Sequence, residues 1–164
     1  MSRYAFAPAA PEEGVVYGAC RPCYDGGTVE EWIDFVRGQG VERVCCLLDD
    51  DHLGLYDDLL GTYREAFGDD DVLHVPVADY DTVAAEAFHG ELLPFLRVGA
   101  EDGRPTVVHC SAGSGRTGHV LVGWLVCGHG HGLEAAIRTV RESGRRPLEG
   151  TDREQLRALL ADCL

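Results

Sequence analysis

The sequence predicts an α/β sandwich, one domain built on a mostly parallel central sheet of about four to five strands with helices on both faces. Three observations predict it. Short β-rich runs alternate with segments of helical periodicity. The 164 residues, 45% hydrophobic and 26% charged, suit a single domain with a buried core. A glycine-rich loop stands directly between a β-rich run and an apolar helix, the kind of junction at which such sheets bind ligands.

The elements follow in order. Residues 1–13 read as a flexible N-terminal arm or a strap across the surface, and 14–164 as the folded domain. Val15-Val16-Tyr17 is a short strand. Thr28-Val29-Glu30-Glu31 is a capping box with Thr28 as N-cap. It opens a helix whose Val29, Trp32, Ile33 and Val36 share one face and which Gly38 and Gly40 stop. Residues 41–48 form a buried strand ended by Asp49-Asp50-Asp51, and a helix covers roughly 54–67. Val72 to Val77 is a strand with Pro76 near its end, and a long helix runs from about Thr82 to Val98. Gly103-Arg104-Pro105 turns the chain into the strand Thr106–His109. The glycine-rich loop and an apolar helix to about Cys127 come next, then a helix from Leu133 to about Glu142. Thr151-Asp152-Arg153-Glu154 repeats the capping-box pattern and opens the last helix.

Charge narrows the function. Fourteen basic residues, all Arg, stand against 28 acidic ones, for a net charge of -14. Such a surface repels nucleic-acid phosphates and anionic lipids, so neither is expected as a partner. No apolar run approaches the length that spans a bilayer, and Met1–Phe6 lacks a secretory apolar region, so a cytoplasmic location is expected. The same charge predicts a salt-adapted source. A thermal melting series from low to molar KCl checks this: the midpoint is expected to rise with salt, and a flat series would refute it.

The cysteines are Cys20, Cys23, Cys45, Cys46, Cys110, Cys127 and Cys163. A disulfide framework is not expected here. Cys45, Cys46 and Cys127 read as small core hydrophobes. Cys20-Arg21-Pro22-Cys23 has redox or half-zinc spacing, but no second pair completes a zinc site and a glycine turn follows instead of a helix, so it reads as structural. His129 and His131 sit in a glycine-spaced loop between helices and are not expected to hold a metal.

One segment carries the chemistry: His109-Cys110-Ser111-Ala112-Gly113-Ser114-Gly115-Arg116-Thr117-Gly118. A loop leaving a strand and entering a helix can converge its N–H groups on one point, where the helix N-terminus adds about half a positive charge. Gly113 and Gly115 permit the close approach such a cradle needs. The main chain of Ser111, Ala112, Gly113, Ser114 and Gly115 would then ring a phosphate that Arg116 grips through two oxygens. The field that favours phosphate also favours a thiolate, which makes Cys110 the candidate nucleophile. Thr117 can donate its hydroxyl to that sulfur, and His109 is expected to order the loop.

The segment closely resembles the signature of the Cys-dependent protein phosphatases, specifically the small dual-specificity class, and the layout from about residue 15 to 162 is compatible with their catalytic domain. The resemblance implies hydrolysis of phosphomonoesters through a phosphocysteine intermediate, without metal or other cofactor. It also implies an Asp on a loop after an earlier strand as proton donor. Pro76-Val77-Ala78-Asp79 resembles the family's stretch and favours Asp79, with Asp81 the alternative or a helix cap. By the same resemblance Arg146 would support the loop, Gln155 would place the hydrolytic water and Tyr80 would lean over the pocket. The loop's variable positions, Ser111, Ala112 and Ser114, carry no Lys, so polyanionic headgroups match poorly. Phosphotyrosine, with phosphoserine or phosphothreonine second, in a protein or peptide is the expected substrate. The alternatives are a phosphatase for small metabolites, an arsenate reductase using Cys20, Cys23 or Cys127 as redox partner, and a non-catalytic phosphopeptide-binding module.

Overall fold

The computed structural model describes residues 3–164. Five strands form one sheet in the order β1-β2-β5-β3-β4, with β1 Ala7–Pro8, β2 Val16–Ala19, β3 Arg43–Cys46, β4 Val72–His74 and β5 Thr106–His109. β1 runs antiparallel to β2 and every other pairing is parallel. The sequence expectation of a mostly parallel sheet therefore holds. β5 lies at the centre, with Val107 beside Tyr17 on one side and Val44 on the other.

The pleat divides the core. Val44, Cys46 and Val107 face a cluster with Trp32, Ile33 and Val36 of α1 (Val29–Gly38) and Leu59 and Tyr63 of α3 (Leu59–Phe67). Cys45 and Val108 face the opposite cluster. There they meet Leu96 of α5 (Leu93–Asp102), Leu121 and Leu125 of α6 (Gly115–His129), Ile137 of α7 (Leu133–Glu142) and Leu156 of α8 (Arg153–Leu159). β3 and β5 are buried along their whole length, as central parallel strands covered on both faces are, with the polar residues Arg43, Thr106 and His109 at their ends. Thr28 caps α1 as expected, accepting from Glu31 N.

Several expectations need correction. Residues 3–13 are not a free arm. Phe6 is buried and stacks on Tyr17 with ring centroids 4.9 Å apart, and Ala9 N donates to Val16 O. Glu13 is buried, with its carboxylate accepting from the main chain of Val15 and Val16 and from Trp124 Nε1. The helix expected over roughly 54–67 is only α3, which begins at Leu59, and a separate short helix, α2 (Asp50–Leu53), precedes it. Asp49 and Asp58 each start one by accepting a main-chain N–H three residues on. The helix expected from Thr82 starts later, as α4 (Ala85–Ala87), and passes through a π turn at Phe88–Leu92 into α5. Pro94 in the first turn of α5 has no N–H to carry on the regular ladder. Asp152, not Thr151, caps α8, accepting from Gln155 N. Cys127 is partly buried and bonded to Cys163, because the last turn of the chain returns beside the end of α6. The other five cysteines are free.

Pro76 sits where it does no harm. Val75 N donates to Cys46 O and Val77 N to Leu47 O, so the residue between them points its missing N–H away from the sheet. This irregular extension carries the chain past the carboxyl end of β3 toward the end of β5.

Candidate active site

β5 delivers His109, residues 110–114 turn, and α6 begins at Gly115. His109 is fully buried and braces the turn. Its Nδ1–H donates to Cys110 O at 3.0 Å, and its Nε2 accepts from the Tyr63 hydroxyl at 2.8 Å. Gly113 has φ 77°, and a Cβ there would stand 2.6 Å from Ala19 O, so the turn can close only on glycine.

Cys110 lies at the floor of a cavity of about 140 Å³ and is 2% exposed. Ser111, Ala112, Gly115 and Arg116 line it from the loop and the start of α6, Asp79 and Tyr80 from the segment after β4, and Tyr24 and Glu149 from two further loops. Thr117 Oγ1 donates to Cys110 Sγ at 3.1 Å. Arg116 is buried, donates to Val77 O at 2.8 Å, and places Nη2 3.4 Å from Asp79 Oδ1. Sulfur, guanidinium and carboxyl group thus share one concavity, together with the positive end of a fifteen-residue helix.

Asp79, half exposed, lines the cavity. Asp81 does not; its carboxylate accepts from Thr82 N in a local turn. The segment holding Asp79 is anchored by Asp49. Burial opposes ionisation of Asp49, but the main-chain N–H groups of His52 and Asp79 and the charges of His52 and Arg116 hold its carboxyl below the usual carboxylate range. Tyr80 lines the cavity, with φ 61°, and Gly150 is pressed against its main chain.

Two expected supports are placed differently. Arg146 braces the loop only through its main chain, which donates to Ser114 Oγ. The supporting side chain is that of Arg145, buried behind the loop and donating to Gly113 O and Ala5 O. Gly18 leaves the space for it, since a Cβ there would be 2.8 Å from the guanidinium carbon. Burial draws Arg145 down to about 10, so it remains a cation at neutral pH. Gln155 is not among the residues lining the cavity. Its Oε1 accepts from Thr82 and Thr151 hydroxyls, which ties the Asp79 segment to α8.

The Cys20–Cys23 pair is structural in its surroundings. Cys20 is buried beneath the loop, and burial pushes its thiol up to about 11. Cys23 is exposed, with φ 68°, and the tight turn it makes brings Tyr24 to the cavity wall. Cys46 is likewise pushed up to about 12 by burial. Among the described residues, no group of three or more His, Cys, Asp or Glu is arranged to hold a metal ion.

Comparison with known proteins identifies the arrangement. Residues 27–131 match the family model described as "Polymorphic toxin system, DSP-PTPase phosphatase", a span that contains Asp79 and the whole 109–118 segment. The chain belongs to that family. This DSP-PTPase phosphatase is also 37% identical over 70 residues to the uncharacterized protein MJECL20 of Methanocaldococcus jannaschii, a match covering 43% of the chain and 45% of the relative. The chain thus matches about half the length of that relative. Among solved structures the phosphatase resembles Tk-PTP in its active form, with TM-score 0.72, 24% identity and 95% and 96% of the two chains covered. It resembles a kinase associated phosphatase with its catalytic-site cysteine replaced by serine, at 0.71 and 21%, covering 91% and 89%. It also resembles PTPMT1 in complex with PI(5)P, at 0.74 and 15%, covering 95% and 92%. At these identities the likeness establishes the fold, which is that of small dual-specificity phosphatases.

Two histidines of the phosphatase make its stability pH-dependent. Burial lowers His109 and His119 from 6.5 to about 4. His119 donates from Nε2 to Glu149 O at 2.8 Å, and its buried Nδ1 has no partner to take a second proton. As pH falls below 6.5 the unfolded chain takes up these protons first, so stability is full above that value and is lost on the way to 4. The melting midpoint is expected to be flat above neutral pH and to decline below it while carboxylates, above about pH 5, remain ionised. His119→Gln keeps a donor for Glu149 O and should make the decline shallower; an unchanged slope would contradict this assignment.

Proposed function

We propose that this phosphatase removes phosphate from phosphotyrosine in proteins, with phosphoserine and phosphothreonine as secondary substrates, through a phosphocysteine intermediate on Cys110. The observation carrying this reading is the Cys110 sulfur at the cavity floor, hydrogen-bonded by Thr117 and facing the Arg116–Asp79 pair. The phosphate enters the loop with two oxygens on Arg116. The Cys110 thiolate attacks phosphorus as the bond to the leaving oxygen breaks, and Asp79 in its acid form protonates that oxygen. Asp79, now a carboxylate, takes a proton from water as the water attacks phosphorus. The S–P bond breaks, and the Thr117 hydroxyl stabilises the departing thiolate.

Two features favour an aromatic carrier. Tyr24 and Tyr80, 47% and 70% exposed, line the mouth and offer flat surfaces to a phenyl ring. The loop positions Ser111, Ala112 and Ser114 bring no cation for a polyanionic headgroup, so the inositol lipid bound by PTPMT1 is not carried over. A cytoplasmic location is part of the same proposal; no helix among the described residues is long and apolar enough to cross a membrane. The test is a panel of phosphotyrosine, phosphoserine and phosphothreonine peptides with one flanking sequence, alongside inositol phosphates and nucleotides. Highest kcat/KM on the phosphotyrosine peptide is expected; preference for an inositol phosphate or a nucleotide would overturn the substrate assignment.

A further inference from the structure

Glu149 is an unexpected presence in an anion site. It lies beyond the 27–131 span of the family match, and the proton transfers proposed above do not use it. Its carboxylate makes no hydrogen bond or ion pair among the described residues, yet it lines the same cavity as Cys110 and Arg116. The position is held from several sides. Glu149 O accepts from the buried His119 at 2.8 Å, Glu149 N donates to Arg146 O, and Arg146 N is bound to Ser114 of the loop. Gly115 is what lets the carboxylate close in, since a Cβ there would stand 3.1 Å from Glu149 Oε1.

The charges around the cavity then set a limit. The converging N–H groups, the end of α6 and Arg116 are matched to one phosphate. Asp79 stands on the Arg116 side of the rim and Glu149 on the Gly115 side. A second phosphate on the same carrier would leave the cradle and meet Glu149, in a partly desolvated site where like charges repel strongly.

We infer that Glu149 is a specificity-determining residue that confines the site to single phosphate monoesters and turns away carriers bearing a second phosphate nearby. The inference rests on reading the cavity as the phosphate site. It deepens that reading by naming the excluded class.

The experiment measures binding of orthophosphate and of pyrophosphate to the full chain by calorimetry at one ionic strength, for the native protein, Glu149→Gln and Glu149→Arg. The native protein is expected to bind orthophosphate the more tightly. Glu149→Gln, close to isosteric, should shift the pyrophosphate-to-orthophosphate affinity ratio toward pyrophosphate by roughly tenfold, and Glu149→Arg further. The kcat/KM ratio between a doubly phosphorylated peptide and its singly phosphorylated counterpart should move the same way. An affinity ratio unchanged to within about twofold in both variants would overturn the inference, as would failure of the native protein to bind orthophosphate. The two readings fail separately. Turnover with an unaltered selectivity ratio sinks the filter alone, whereas the expected shift in binding without turnover of any phosphomonoester sustains the filter and sinks the hydrolytic function.

Discussion

Cys110→Ser is expected to lower turnover of p-nitrophenyl phosphate by roughly 10⁴-fold or more while leaving orthovanadate or phosphate binding in place. The asymmetry follows from where each task resides. On the proposed function the anion would be held by main-chain N–H groups, by the end of α6 and by Arg116, none of which the substitution touches. Only the attacking atom changes, from sulfur to a less nucleophilic hydroxyl oxygen. Serine fits the space, and the Thr117 hydroxyl, 3.1 Å from the sulfur, retains a polar neighbour. Stopped-flow or steady-state absorbance reads the turnover, and calorimetry reads the binding. Residual turnover near the native level would remove Cys110 as nucleophile; loss of anion binding would mean that the cradle depends on the sulfur.

Asp79→Ala is the second large effect, and its size should depend on the leaving group. A positioned acid contributes about 10²–10⁴ in rate. Phenyl phosphate and phosphotyrosine peptides, whose leaving oxygens need a proton, should lose about that much, whereas p-nitrophenyl phosphate, which leaves easily as an anion, should lose far less. Asp79 is suited to the task because it lines the cavity 3.4 Å from Arg116 on a segment anchored at Val77 O. Asp81, turned into its own Thr82 N–H, should be replaceable by Ala with little loss. A steeper loss for Asp81→Ala would exchange the two roles, and equal losses on good and poor leaving groups would deny Asp79 the proton transfer.

The residues whose neighbours are close in sequence were the legible ones. Strand, loop and helix from Thr106 to His129 form one continuous stretch, so the glycines and the strand-to-helix junction around Cys110 and Arg116 pointed to a cradle, and the structure puts Cys110, Ser111, Ala112, Gly115 and Arg116 on one cavity. The buried runs of β3 and β5 and the Thr28 cap were legible for the same reason. What escaped depends on contacts between distant segments. Of the adjacent pair Arg145 and Arg146, nothing local says which turns inward; that is decided by the space at Gly18 and the carbonyls of Gly113 and Ala5. Tyr24 and Glu149 reach the cavity only because a positive-φ turn at Cys23 and the His119 hydrogen bond deliver them there. Gln155 carried the right chemistry for a water-placing group but is engaged by Thr82 and Thr151 instead. The N-terminal segment looked like an arm because its apolar residues are short-spaced among prolines, and the partners that hold it, Tyr17 for Phe6 and Trp124 for the Glu13 carboxylate, lie elsewhere in the chain.

The account turns on a covalent bond between phosphorus and one sulfur. Rapid acid quench of the enzyme during turnover of a phosphotyrosine peptide, followed by proteolysis and mass spectrometry, reads that bond directly. The expected result is a phosphate adduct on the peptide containing Cys110, present during turnover and absent in Cys110→Ser. A phosphate adduct on any other residue, or steady turnover with no adduct at Cys110 when the quench is fast enough to catch a burst, would contradict it.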